Sequence, residues 1–209
     1  MAAPGWAAAA AVCNTWRMSA LIVLAFLLAL VVGYGIVLYN GLIRARNEVK
    51  LAWANIDVLL VQRHDELPKL VEVCKGYMQH ERETLTRVVQ ARADLEGARA
   101  ARNVTSVSSA EGALRTGLAG LYAVAERYPE LKANTLFQNL HTRITALETA
   151  IADRREVYND AVVALNTRLE VIPDVLVARL CGFQPAQPLQ FTAEQKGAVD
   201  VNLALEAQR

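Results

Sequence analysis

Between Met18 and Tyr39 the chain reads MSALIVLAFLLALVVGYGIVLY, about 22 positions without a charge, whereas from Val49 to Val171 apolar residues recur every three or four positions. The two patterns predict two kinds of helix. At about 1.5 Å per residue the uncharged run is roughly 33 Å long, enough to cross a hydrocarbon core of about 30 Å. The periodic region carries the stripe expected of amphipathic helices that bury one face. Trp16 and Arg17 stand directly before the uncharged run, and Arg44, Arg46 and Lys50 follow it. That excess of basic residues on the C-terminal side orients the N-terminus outside and the rest of the chain in the cytoplasm. A cleavable signal peptide fits less well. The run exceeds the roughly 7–15 residues of such a segment, one basic residue precedes it, and no small-x-small site ends it.

Within the periodic region the first helix carries Val49, Trp53, Ile56 and Leu60 on one stripe. Pro68 then removes a backbone donor and disfavours the α conformation of its predecessor, so the chain is expected to kink or reverse near HDELP, residues 64 to 68. A second helix has Leu70, Cys74, Tyr77, Leu85, Val88 and Leu95 in phase and fades at Gly97, and the polar stretch from Arg102 to Ser109 reads as a loop. A third, from about Ala110 to Arg127, aligns Leu114, Leu118, Leu121 and Val124 or Ala125, and Pro129 ends it. Asn134 is placed to cap a fourth, whose stripe runs through Phe137, Leu140, Ile144, Leu147, Ile151, Tyr158, Val162, Leu165 and Leu169 to Pro173.

These elements give an all-α fold: an N-terminal transmembrane helix followed by an up-and-down antiparallel four-helix bundle. A single rod kinked at Pro68 competes, because the apolar phase from Trp53 to Tyr77 is nearly unbroken. The organisation reads as an N-terminal segment (1–17), a transmembrane helix (18–39), the bundle (40–172), a short apolar segment (173–183) and a flexible tail (184–209). In the short segment Val175, Leu176, Leu180 and Phe183 cluster within about two turns, as an amphipathic foot on the bilayer or as a cap on the bundle's open end.

Composition narrows the chemistry. A net charge of +1 over 209 residues, with no run of Lys or Arg, leaves no electrostatic footprint for nucleic acid. Cys13, Cys74 and Cys181 are odd in number and far apart, which fits neither a disulfide framework nor a zinc site; Cys74 falls on the apolar phase as core filler. Each His lacks a Glu three positions before it, and no His-Glu-x-x-His occurs, so the metal-carboxylate and zinc-protease spacings are missing. GLAG at Gly117 to Gly120 lies inside a helix and reads as a close-packing site rather than a phosphate loop. Arg63, His64, Asp65 and Glu66 form the one charged cluster that could hold a metal or move a proton; a solvated helix end with a local ion pair is the plainer account. His80, with Glu81 and Glu83, begins a charged surface turn. No cofactor and no enzymatic activity are expected.

The segments YNGLIRARNEV (39–49), AWANID (52–57), LPKLVE (67–72), KGY (75–77), HERETL (80–85), AVAERYPELKAN (123–134) and YNDAVVALNTRLEVIP (158–173) resemble, in order, the signatures of the bacterial LemA family. The resemblance implies one N-terminal transmembrane helix, an up-and-down four-helix bundle with reversal at Pro68, and a bacterial inner-membrane location. It also brings in a context of magnetosome membranes and of a membrane metalloprotease of the HtpX type. The chain departs from the family pattern at Lys69, where Asn is usual, and at Leu165, where an aromatic usually precedes Asn. The function expected is a scaffold or interaction platform on the lipid bilayer that self-associates as a homo-oligomer. The alternative is an accessory subunit of a membrane protease, or a hydrolase using residues Arg63 to Glu66. Candidate interaction residues are Tyr128, Pro129, Asn134, Tyr158 and Asn159.

Overall fold

The structure, a computed structural model, describes residues 5–101 and 103–189. Six helices make up its regular structure among these residues: α1 (Gly5–Tyr77), α2 (Arg82–Ala100), α3 (Val104–Ala125), α4 (Pro129–Ala133), α5 (Thr135–Glu170) and α6 (Asp174–Leu180). Two compact units divide the chain. One comprises the described residues up to Arg46 together with Thr167–Gln184. The other comprises Asn47–Asn166 together with the described residues from Pro185.

The second unit is an up-down-up-down bundle of α2, α3 and the parts of α1 and α5 that belong to it. Contacts along each pair run in opposite chain directions. Between α1 and α5, Tyr77 meets Asn134, Glu66 meets Arg143, and Trp53 meets Tyr158 edge-on at 5.6 Å. Between α1 and α2, Asp57 pairs with Arg99 and His64 with Arg92. Val88 of α2 faces Gly117 of α3, where an added Cβ would lie 3.6 Å from the valine, and Tyr122 of α3 meets His141 of α5 at 4.4 Å. The expected stripes fill the space between: Ile56, Leu60, Leu70, Cys74, Leu85, Val88, Leu95, Leu114, Leu118, Leu121, Leu140, Ile144 and Ile151 are all buried. Each such aliphatic side chain contributes about 1.5–3 kcal/mol relative to exposure. Ala125, not Val124, takes the last inward position of α3.

The first reversal is not at Pro68. Helix α1 continues through that proline to Tyr77, and the chain turns at residues 78–81. A proline inside a helix orphans the carbonyl four residues earlier, here that of His64. Arg92 of α2 donates its Nε–H to that oxygen at 3.1 Å and supplies the missing bond. The expected loop at 102–109 is also mostly helical. Asn103 caps α3 by accepting from the Ser106 N–H at 3.1 Å, so the polar NVTSVSS stretch opens a helix rather than separating two. Pro129 stands at the first position of the short α4, after α3 has already ended. Asn134 caps α5 as expected, accepting from the N–H groups of Leu136 and Phe137 at 2.9 and 3.1 Å.

Candidate functional site

In the first unit, the residues of α1 from Leu21 to Asn40 are exposed except Gly35 and Leu38, which are half-buried. This stretch belongs to the one described helix long and apolar enough to cross a membrane. Beyond it Leu42 and Ala45 are buried. Gly41 has no side chain where a Cβ would collide with the guanidinium of Arg168, and Arg168 in turn binds Asp174 at the start of α6 at 2.6 Å. Helix α6 ends in a Schellman turn: Gly182, at φ +69°, lets the Phe183 N–H reach the Ala178 carbonyl at 3.0 Å. Phe183 then packs edge-on to Tyr39 at 6.0 Å and under the Arg46 guanidinium at 5.4 Å. The outward side of this segment is apolar, with Ile172 82% and Leu180 91% exposed and Leu176 between them. Beside it a cleft of about 340 Å³ is lined by Val32, Ile36, Tyr39, Leu176, Leu180 and Cys181. An exposed apolar surface of this extent calls for lipid or protein cover.

In the second unit the five candidate interaction residues fall at two places. Asn134 and Asn159 are separated by 25 positions, roughly 37 Å along a helix. Tyr128, Pro129 and Asn134 belong to the turn end of the bundle. The Tyr128 hydroxyl approaches the Glu81 carboxylate at 3.5 Å, Arg127 binds the same carboxylate at 2.9 Å, and Asn134 donates to the Tyr77 hydroxyl at 3.1 Å. These side chains tie one turn to another.

Tyr158 and Asn159 do something different. Together with Asn166, which sequence reasoning did not single out, they hold residues 186–189 along α5. Asn166 donates to the Ala186 carbonyl and accepts from the Ala186 N–H, both at 2.9 Å. Asn159 treats Leu189 identically, at 3.0 and 2.9 Å, and the Tyr158 hydroxyl donates to the Gln187 carbonyl at 2.9 Å. The Leu189 side chain is 3% exposed and lines the same small space as Ile56, Leu60, Val107 and Ile151. Burial pushes the Tyr158 hydroxyl above its ordinary pKa, so it stays protonated and a donor. The tail expected from 184 onward is therefore ordered and packed at 185–189; residues 190–209 lie outside those described. The signal in the sequence was the recurrence of Asn at 159 and 166, two helical turns apart on one face.

The cluster Arg63 to Glu66 is dispersed. It lies inside α1 rather than at a helix end, and successive side chains there point about 100° apart. Arg63 is fully buried and forms a bidentate pair with Glu111 of α3, with Nη1 to Oε1 at 2.8 Å. Burial works to raise the Glu111 carboxyl, and the hydrogen bonds and charge of Arg63 outweigh it, leaving the group below its usual range. Glu66 pairs with Lys69 and Arg143, each at 3.1 Å, and His64 lies against Arg92 and Glu96. Cys74 is wholly buried, and desolvation pushes its thiol up to about 12, as a core residue rather than a nucleophile.

A family model described as "LemA family" matches residues 52–203. "Protein LemA" of Metamycoplasma hominis is 27% identical over 135 residues, 62% of this chain and 58% of that protein. "Magnetosome protein MamQ 2" of Paramagnetospirillum magneticum is 32% identical over 81 residues, 39% of this chain and 30% of that protein, and "Magnetosome protein MamQ 1" of the same organism matches equally. The chain thus spans less than two thirds of the length of these relatives.

Proposed function

Because the chain belongs to the LemA family, we propose that it is a membrane-anchored interaction platform of the bacterial inner membrane, with its bundle in the cytoplasm, that self-associates there. The observation that carries this reading is the apolar exposure of α1 from Leu21 to Val37 together with the outward Ile172, Leu176 and Leu180 in the same unit. A bilayer removes that surface from water. The basic residues Arg44, Arg46 and Lys50 against Arg17 support the cytoplasmic bundle. The relatives named for the magnetosome support a membrane-associated role.

The test uses the full chain, expressed with two different tags in one bacterial cell. The protein is expected to stay with the inner-membrane fraction through alkaline carbonate washing and to release in detergent, with one tag recovering the other. Intact spheroplasts should protect the bundle from added protease. Recovery in the aqueous fraction, or digestion of the bundle from outside, overturns the anchor or its orientation; tags that never co-purify overturn self-association.

A further inference from the structure

The clamp on α5 reads main chain, not side chains. Asn159 and Asn166 are seven positions apart, roughly 10.5 Å of helix rise. Ala186 and Leu189 are three positions apart, roughly 10 Å of extended chain. Each amide grips both the N–H and the carbonyl of one residue, so the two clamps match any extended backbone lying antiparallel to α5. Specificity comes chiefly from Leu189 in its apolar seat; the exposed Gln187 side chain accepts from the Thr105 hydroxyl at 3.3 Å, and Pro185 and Pro188 face solvent. The two prolines fix φ and lower the entropy lost on docking.

Resting on the self-association proposed above, we infer that this groove is an extended-peptide receptor that takes Ala186–Leu189 of a second copy in exchange for the resident segment. The bonds that hold the segment run to α5 and, where the Thr105 hydroxyl donates to the Gln187 side chain at 3.3 Å, to α3, so an identical segment from another copy reproduces each of them. A segment anchored by one buried side chain and a few hydrogen bonds opens at a small fraction of the global unfolding free energy. Confinement of both copies to one bilayer raises the effective concentration of the incoming segment. The occupant is thus a second copy of this chain, and the residues it contributes are Ala186, Gln187 and Leu189.

Complementation between full-length variants tests the exchange. N159A/N166A removes the receptor and L189D removes the ligand, and far-UV circular dichroism is expected to show wild-type helix content for both. Neither variant should co-purify with a second tagged copy of itself, with a loss of about tenfold or more. Mixed together they should recover pairing, because one intact segment meets one intact groove. A synthetic peptide of residues 184–192, added in excess to wild type in detergent, should lower pairing by about the same factor. The peptide arm stands even where a variant fails to fold. Copies that pair regardless of variant or peptide overturn the exchange and leave self-association standing. Variants that do not complement, or a peptide without effect on wild type, also overturn it. Wild-type copies that never pair overturn both readings.

Discussion

Arg63 has no exposed surface, and its charge is matched by the Glu111 carboxylate across the bundle. Removing one member of such a pair strands the other charge in a low-dielectric interior, so R63A is expected to lose about 3–5 kcal/mol by urea unfolding, while R63M/E111L loses less than R63A alone. The pH dependence follows from the same carboxylate. A group held below its ordinary value in the folded state stabilises above its unfolded pKa, about 4.3, and that contribution is lost as pH falls through the folded value. E111Q should therefore flatten the acid side of the stability profile. Glu148 has the opposite sign: burial raises its pKa, and its Oε1 is buried with no hydrogen-bond partner among the described residues. It favours the fold when protonated and costs stability as pH rises, so E148Q is expected to raise the melting temperature near pH 7 and to change little near pH 4. Sequence reading reached Cys74 but misjudged Arg63. Charges adjacent in sequence look like one cluster, and helical geometry sends them to different partners.

Helix existence and phase were legible because the apolar stripe is physical: most positions assigned to it are buried, whereas Tyr77 is exposed, with Met78 buried beside it, and Trp53, Leu147 and Leu169 are half-buried. Boundaries were not, and Pro68 shows why. A proline's effect depends on whether another element supplies a donor for the carbonyl it orphans, and Arg92 lies 28 positions away from His64. R92A is expected to cost about 1–3 kcal/mol in the wild type, and distinctly less in a P68A background, where the restored amide N–H takes the His64 carbonyl. A double-mutant cycle in denaturant measures that coupling. The Asn134 cap was readable because its partners, the N–H groups of Leu136 and Phe137, are local. N134A should cost about 1 kcal/mol in the same assay. The loop expected at 102–109 failed for a related reason: Asn and Ser serve turns and helix starts alike, and Asn103 caps.

At the scale of the whole molecule, α1 and α5 each contribute residues to both units. The apolar character of α6 was legible from four clustered residues, whereas its lock, Arg168 on Asp174 with Gly41 making room, needed three distant positions at once. If α6 rests in the bilayer interface, Leu176→Trp in the full chain reconstituted into vesicles should emit at shorter wavelength than in a water-exposed control, and should be quenched by lipids spin-labelled near the headgroup. Emission typical of water, unaffected by those lipids, removes the foot reading. The segment at 185–189 was missed because a polar, proline-bearing stretch has no periodicity of its own; its order comes from Asn159 and Asn166. In the bundle, the proline in α1 also acts as a keyway. Packing and the Asp57–Arg99 pair already fix the register of α1 against α2, and the open notch at His64 adds a main-chain constraint that a helix with every carbonyl satisfied would lack. Arg92 is the peg, and α2 moved up or down by 5.4 Å would leave both notch and peg empty. A residue usually counted as a helix breaker thereby helps set the height at which two helices dock.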